Sequence, residues 1–116
     1  MKERDDRFYL LHMAECIANI EEDTRGDKTV LTGNRTIRDA VMRNLQLLGE
    51  SSKRVSAATQ AAYPEIPWRD LADFRNVVVH DYLNIDVDEV WQIIANNLPP
   101  LKAQLEAALD PTRPHS

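Results

Sequence analysis

Residues able to act on a phosphodiester bond cluster in one stretch of the chain, from Arg75 to Tyr82. Arg75 carries a permanent fork of N–H donors for phosphate oxygens, and the imidazole of His80 can accept or donate a proton near neutral pH. Asn76 can orient the scissile group or the imidazole. These groups suit metal-free cleavage of RNA, in which a base takes the proton of the ribose 2′-OH and an acid protonates the leaving 5′-oxygen. The expected product is a 2′,3′-cyclic phosphate.

The spacing of this cluster predicts that its arginine and its histidine do not face one substrate from one helix. Each residue of an α-helix turns the chain by about 100°, so Arg75 and His80 point about 140° apart. Asn76 and His80, four residues apart, share a face. This geometry allows one protomer to direct Asn76 and His80 to a cleft that Arg75 of a second copy enters.

A purely structural interpretation of the same residues stays open. Arg75 can pair with an acidic neighbour while Asn76 faces water. His80 can cap the end of its helix, where the helix dipole favours a cation. Asp81 either tunes His80 or is solvated, and Tyr82 can pack with its hydroxyl at the surface.

Apolar residues at helical spacing predict the elements that carry the cluster. A first helix from about Asp6 to Thr24 stops near Gly26, and a second begins after Thr32 or Asn34, either of which can cap it. Four predicted helices with short connections indicate an all-α, up-down bundle of four to five helices. The apolar pattern of the second helix runs from residue 37 to about 62. The third helix is predicted from Pro67 to about His80. The fourth begins at the Asp86 and Glu89 capping box and is interrupted at Pro99–Pro100.

Composition limits the chain to one domain, predicted over residues 1–109, with a polar, proline-rich tail at 110–116. The formal net charge of -5 argues against broad, sequence-blind adhesion to nucleic acid, because that affinity comes from many cationic contacts. An RNA-cleaving protein of this charge needs a local basic surface. The candidate RNA contacts are Arg43, Lys53 and Arg54 on the second predicted helix and Arg69 at the start of the third.

The cluster and its helical frame resemble the HepT-like branch of the HEPN superfamily. The signature of that branch is an arginine, a polar residue, three further residues, a histidine, one residue and a tyrosine, matched here by Arg75, Asn76, His80 and Tyr82. The resemblance extends to residues 40–50 and covers roughly residues 5–108. It implies a homodimeric ribonuclease toxin of a type VII-like toxin–antitoxin system, with no bound cofactor.

The resemblance also implies how such an enzyme is restrained. In the HepT-like family the matching tyrosine is adenylylated by a partner nucleotidyltransferase, the MntA-like antitoxin, so Tyr82 is the expected acceptor of AMP from ATP. A negative phosphate placed there would repel RNA. Two other functions stay open: a non-catalytic HEPN module that only holds RNA or a nucleotide, and an adaptor that regulates a nucleotidyltransferase.

The remaining residues predict no metal site and no export. Three scattered histidines and the single Cys16 lack ligand spacing for zinc, and Cys16 is expected to be buried. Trp68 and Trp91 are expected to pack in the core or a dimer interface rather than to stack on bases. The charged N-terminus does not resemble a signal peptide and no long apolar run is present, which predicts a cytoplasmic protein.

Overall fold

Helices account for every regular element of the described chain. The computed structural model describes residues 5–80 and 86–110, with the backbone alone for residues 75–80. This confirms the all-α prediction. The elements are α1 (Asp6–Thr24), α2 (Thr29–Gly33), α3 (Arg35–Arg54), α4 (Ala57–Ala62), α5 (Trp68–His80), α6 (Val87–Gln92), a π-helical segment (Ile93–Asn97) and α7 (Leu98–Leu109).

Side-chain caps begin α1 and α3, and a left-handed turn ends α1. The Asp5 carboxylate accepts a hydrogen bond of 2.9 Å from the Phe8 amide. Asn34, one of the two predicted caps, accepts one of 3.1 Å from Ile37. Arg25 and Gly26 take positive φ values of 50° and 73°, which end the helix in a left-handed turn. The predicted stop near Gly26 is therefore confirmed, with the C-cap one residue earlier, at Arg25.

The predicted second helix is two helices, and α2 was not predicted. α3 ends at Arg54 because Val55 is extended, with φ -70° and ψ 134°. Ser56 then caps α4 by accepting a hydrogen bond of 3.3 Å from the Thr59 amide. The Asp6 carboxylate, at the start of α1, fixes this break by accepting hydrogen bonds from the Ser56 amide at 2.9 Å and the Ser56 hydroxyl at 2.6 Å.

The predicted interruption at Pro99–Pro100 lies just before the prolines. Neither proline has an N–H to donate to the preceding turn, so the regular ladder cannot continue through them. The chain forms the π-helical segment instead, and the Leu98 amide donates to the Ile93 carbonyl five residues back. Both prolines then occupy the first turn of α7, where an amide hydrogen is not needed.

Helices α1 and α3 pack antiparallel, as do α1 and α7. Hydrogen bonds join Asp6 to Ser56, His12 to Ser51, and Asn19 to Asn44. As the residue numbers rise along α1, those of the bonded residues fall toward the start of α3, which shows that the two helices run in opposite directions. On the α7 side, Lys102 lies 3.0 Å from Glu21, and Arg7 donates to the Leu109 carbonyl at 3.3 Å. α3 also packs against α5.

The core lies where these four long helices meet. The side chains Met13, Ile20, Leu45, Leu48, Leu71 and Leu105 are fully buried. On the last helices, the buried apolar residues are Val90, Ile93, Ile94, Leu98, Leu101, Leu105 and Ala108. Among the residues described, no helix is long and apolar enough to span a membrane.

Candidate functional site

Helix α5 carries the Arg75, Asn76 and His80 positions on one continuous stretch of α-helical backbone that ends at His80. The helix does not leave regular geometry before His80, so the Arg75 and His80 positions lie about 140° apart around its axis. The side chains of Arg75, Asn76 and His80 lie outside the described part of the structure. Asp81 and Tyr82 lie outside the described residues altogether.

The first half of α5 is fixed by the core and by the turn before it. The Pro67 carbonyl accepts a hydrogen bond of 3.1 Å from the Leu71 amide. Leu71 is fully buried and Phe74 nearly so. The indole N–H of Trp68 donates to the carbonyls of Gln60 and Tyr63, both at 3.1 Å. Trp68 therefore packs as a structural residue that holds the start of α5.

The start of α6 is fixed just after the segment that contains Tyr82. The Asp86 carboxylate accepts a hydrogen bond of 3.1 Å from the Glu89 amide, as the predicted capping box requires. Lys28, before α2, forms an ion pair with Asp88 in the first turn of α6. Residues 81–85 thus lead into a helix whose first turn is held in place. Trp91 on α6 is partly buried against the core, as predicted.

Helices α3 and α5 pack antiparallel, which sets the register of the candidate site. The side-chain amide of Gln60 donates to the Ser52 carbonyl at 3.4 Å and the Val55 carbonyl at 3.0 Å, both at the end of α3. Gln60 in turn accepts from Trp68 at the start of α5. The start of α5 therefore lies near the end of α3. α5 has thirteen residues and is about 18 Å long, close to the length of α3 between Arg54 and Arg43.

The four candidate RNA contacts are exposed. Arg43 lies in the middle of α3, Lys53 and Arg54 end that helix, and Arg69 lies in the first turn of α5. By the antiparallel register, Arg54 and Arg69 lie at one end of the α3–α5 pair. Arg43 lies about 16 Å back along α3 from Arg54, toward the end of the pair at which α5 finishes. The fold therefore brings exposed cations to both ends of the helix that carries the cluster.

The sequence did not predict the polar contact between His12 on α1 and Ser51 on α3. His12 Nδ1 and Ser51 Oγ share a hydrogen bond of 2.6 Å, although the residues are 39 positions apart. Cys16 Sγ lies 4.0 Å from His12 Nε2, and burial, with a smaller contribution from Glu15, raises the pKa of the thiol to about 11. Cys16 is buried, as predicted. Within the described ranges, no three His, Cys, Asp or Glu side chains group to hold a metal ion.

Comparison with known proteins identifies one family. The model of a family described as "Ribonuclease HepT-like" matches residues 13–108. The chain is 36% identical to "Probable ribonuclease HepT" of Thermococcus cleftensis over 105 residues, covering 89% of this chain and 94% of that protein. It is 30% identical to "Putative RNase MJ1380" of Methanocaldococcus jannaschii over 107 residues, covering 91% and 98% respectively. No solved structure matches.

Proposed function

The chain belongs to the HepT-like ribonuclease family, and from that membership we propose that it is the toxin of a toxin–antitoxin pair. It is an endoribonuclease that needs no metal and acts as a homodimer. Arg75, Asn76 and His80 form the catalytic site, and adenylylation of Tyr82 by a nucleotidyltransferase antitoxin inactivates it. The proposal rests on the family match and on the complete Arg-polar-x3-His-x-Tyr pattern in this chain.

The course of α5 supports a site shared between two protomers. Because the helix is unbroken to His80, one copy of α5 cannot direct both Arg75 and His80 at the same phosphate. A second copy, related by a two-fold axis, can present its own Arg75 beside Asn76 and His80 of the first. Each dimer then has two equivalent sites, each made from both chains.

The reaction needs only these groups. His80 takes the proton from the ribose 2′-OH, the 2′-oxygen forms a bond to phosphorus, and the bond from phosphorus to the 5′-oxygen breaks. The proton held by the imidazole then passes to the 5′-oxygen. Arg75 donates N–H groups to the phosphate oxygens as negative charge builds on them. The products are a 2′,3′-cyclic phosphate and a 5′-hydroxyl.

Modification of Tyr82 offers a physical means of restraint. The tyrosine oxygen attacks the α-phosphate of ATP, pyrophosphate leaves, and the phenolic proton is lost. The AMP group that remains adds a negative phosphate two residues from His80. Substrate phosphate is then repelled from the site, and the nucleotide also occupies space beside it. The same eight residues thus hold the proposed catalyst and its inhibitory modification.

Expression in a bacterial host tests the proposal. Induction of the wild-type chain should arrest growth and fragment cellular RNA. His80→Ala should abolish both effects, whereas His115→Ala, which removes a histidine from the predicted tail, should abolish neither. Co-expression of the cognate nucleotidyltransferase should restore growth to the wild type. Equal growth arrest by wild type and His80→Ala would favour a non-catalytic binding module or an adaptor.

A further inference from the structure

The cations of this protein divide into two groups by what they contact. Five of the lysine and arginine side chains described bind a carboxylate or a backbone carbonyl: Arg7, Lys28, Arg35, Arg38 and Lys102. Five others make no hydrogen bond or ion pair within the described structure: Arg25, Arg43, Lys53, Arg54 and Arg69. The unengaged cations are free to bind an external anion.

The two groups lie in different parts of the fold. The engaged cations lie on α1, beside α2, in the first turn of α3 and on α7. Apart from Arg25, in the turn after α1, the unengaged cations lie on the later part of α3 and at the start of α5. Unpaired positive charge is thus concentrated on the helix pair that contains the catalytic cluster, in a chain whose net charge is -5.

Arg43 and Arg54 lie on the outward face of α3. They are eleven residues apart, which places them within about 20° of each other around the helix and about 16 Å apart along it. Asn44 and Ser51, which bond to α1, mark one side of this face. The buried Met42 lies on the other side of this face. The two arginines therefore form a line along the exposed face of α3.

Acidic residues on α5 disfavour anion binding there, which limits the candidate RNA-binding surface to α3. Arg69 on α5 is followed by the exposed acids Asp70 and Asp73, so that part of α5 is net negative. On α3, Glu50 lies between the two arginines, but it is half-buried and accepts a hydrogen bond of 3.3 Å from Gln46. Arg43 and Arg54 are more exposed than Glu50, so a bound strand meets the arginines before the carboxylate.

We propose that the α3 ridge, formed by Arg43, Lys53 and Arg54, binds the sugar–phosphate backbone of single-stranded RNA and leads it to the catalytic site on α5. This rests on the function proposed above. Helix α3 carries no aromatic residue, so the ridge offers no aromatic ring for base stacking, and we assign its main contacts to phosphates. Arg43 is the member of the ridge farthest along α3 toward the His80 end of α5, so it is the one expected to bind nearest the scissile bond.

The chemistry of cleavage explains why the proposed RNA is single-stranded. Attack by a 2′-OH needs that oxygen in line with the bond from phosphorus to the 5′-oxygen. The regular geometry of an A-form duplex holds the two out of line, whereas a single strand can rotate to align them. A ridge that feeds such a site therefore holds one flexible strand.

The salt dependence of RNA binding tests the ridge separately from catalysis. All variants are made in a His80→Ala background so that RNA is not cut, and the affinity for a single-stranded oligoribonucleotide is measured from 50 to 300 mM salt. Each phosphate contact to a single strand contributes about 0.7 to the slope of log affinity against log salt. Arg43→Gln and Arg54→Gln should each reduce the slope by that amount and weaken binding about fivefold at 0.1 M salt.

Arg35→Gln is the matched control. It removes one positive charge from the same helix, but Arg35 already contacts Asp39 at 3.8 Å, away from the ridge. Its slope should equal that of the parent. Equal slopes of log affinity against log salt for all three variants would contradict the proposal that the ridge binds RNA. Failure of the parent to bind RNA would also contradict it. Cleavage by the chain with intact His80 is measured in parallel, so loss of the ridge proposal and loss of the ribonuclease proposal give different results.

Discussion

Mixed dimers of two inactive variants, Arg75→Ala and His80→Ala, should recover half of the wild-type cleavage rate. In a composite site, Arg75 of one protomer acts with His80 of the other. A heterodimer of the two variants then has one site that lacks both groups and one site that is intact. The prediction follows from the unbroken course of α5, which separates the two positions by about 140°.

The size of the recovery makes this experiment decisive. Loss of a general acid–base group typically costs 10²–10⁴-fold, and loss of a donor to the developing charge costs about 10²–10³-fold. Each parent homodimer should therefore have at most about 1% of the wild-type rate. The heterodimer should rise from that level to about 50%, an increase of at least about fiftyfold.

The assay requires heterodimers of known composition. The two variants are co-expressed with different affinity tags, the heterodimer is isolated over two columns, and cleavage of a fluorescent oligoribonucleotide is followed. A heterodimer of wild type and the doubly substituted chain is the matched control. Its composite sites each lack one group, so it should be inactive. Activity in that control together with an inactive heterodimer of the two single variants would refute the composite site.

Three further predictions concern regulation, acid stability and the buried thiol. Tyr82→Phe should cleave RNA but gain no AMP mass with the nucleotidyltransferase and ATP, because it lacks the acceptor oxygen; AMP transfer to that variant would disprove the assignment. Asp6→Asn should lower the free energy of unfolding at pH 7 by about 1–2 kcal/mol, because the carboxylate accepts hydrogen bonds from Ser56 and Thr59. These bonds lower the pKa of Asp6, so its contribution is present above the unfolded pKa and is lost as pH falls through the lower folded value. Urea unfolding should show that loss; equal stabilities at pH 7 for Asp6→Asn and Asp39→Asn, which loses only an exposed contact, would contradict it. Cys16, with its pKa raised to about 11, should resist thiol labelling at pH 8 until the chain unfolds, and labelling of the folded chain at the rate of a small thiol would contradict its burial.

Local signals in the sequence were enough to predict most helix starts. Asn34 and Asp86 each cap a helix through a side chain that bonds to an amide three residues on, so the sequence neighbourhood contains all the required information. Apolar residues at helical spacing likewise predicted the long helices themselves. These features depend on residues within one or two turns of each other.

Features stabilised by distant residues could not be predicted in this way. The break between α3 and α4 depends on Asp6, which binds Ser56 from 50 positions away. No proline or glycine marks that break, and periodicity alone favours a continuous helix. The contact between His12 and Ser51 is also long-range, and it forms only after α1 and α3 pack antiparallel.

The candidate site also combines features that the local sequence predicts with features that depend on the packing of distant residues. Residue types and spacing predicted the candidate cluster, whose catalytic role stays a prediction, and identified Arg43, Lys53, Arg54 and Arg69 as candidate RNA contacts, all of which are exposed. The spacing could not predict which of the chain's cations would be engaged by carboxylates or carbonyls. That division depends on the packing of α1, α2 and α7, and it is what distinguishes the α3 ridge from the other basic residues.

Incubation of the purified chain with total RNA in excess EDTA, followed by analysis of the product ends, tests the central claim most directly. The account predicts cleavage at the wild-type rate without divalent metal, with 2′,3′-cyclic phosphate and 5′-hydroxyl ends that His80→Ala does not produce. Intact RNA, cleavage that EDTA abolishes, or products with 5′-phosphate ends would contradict it.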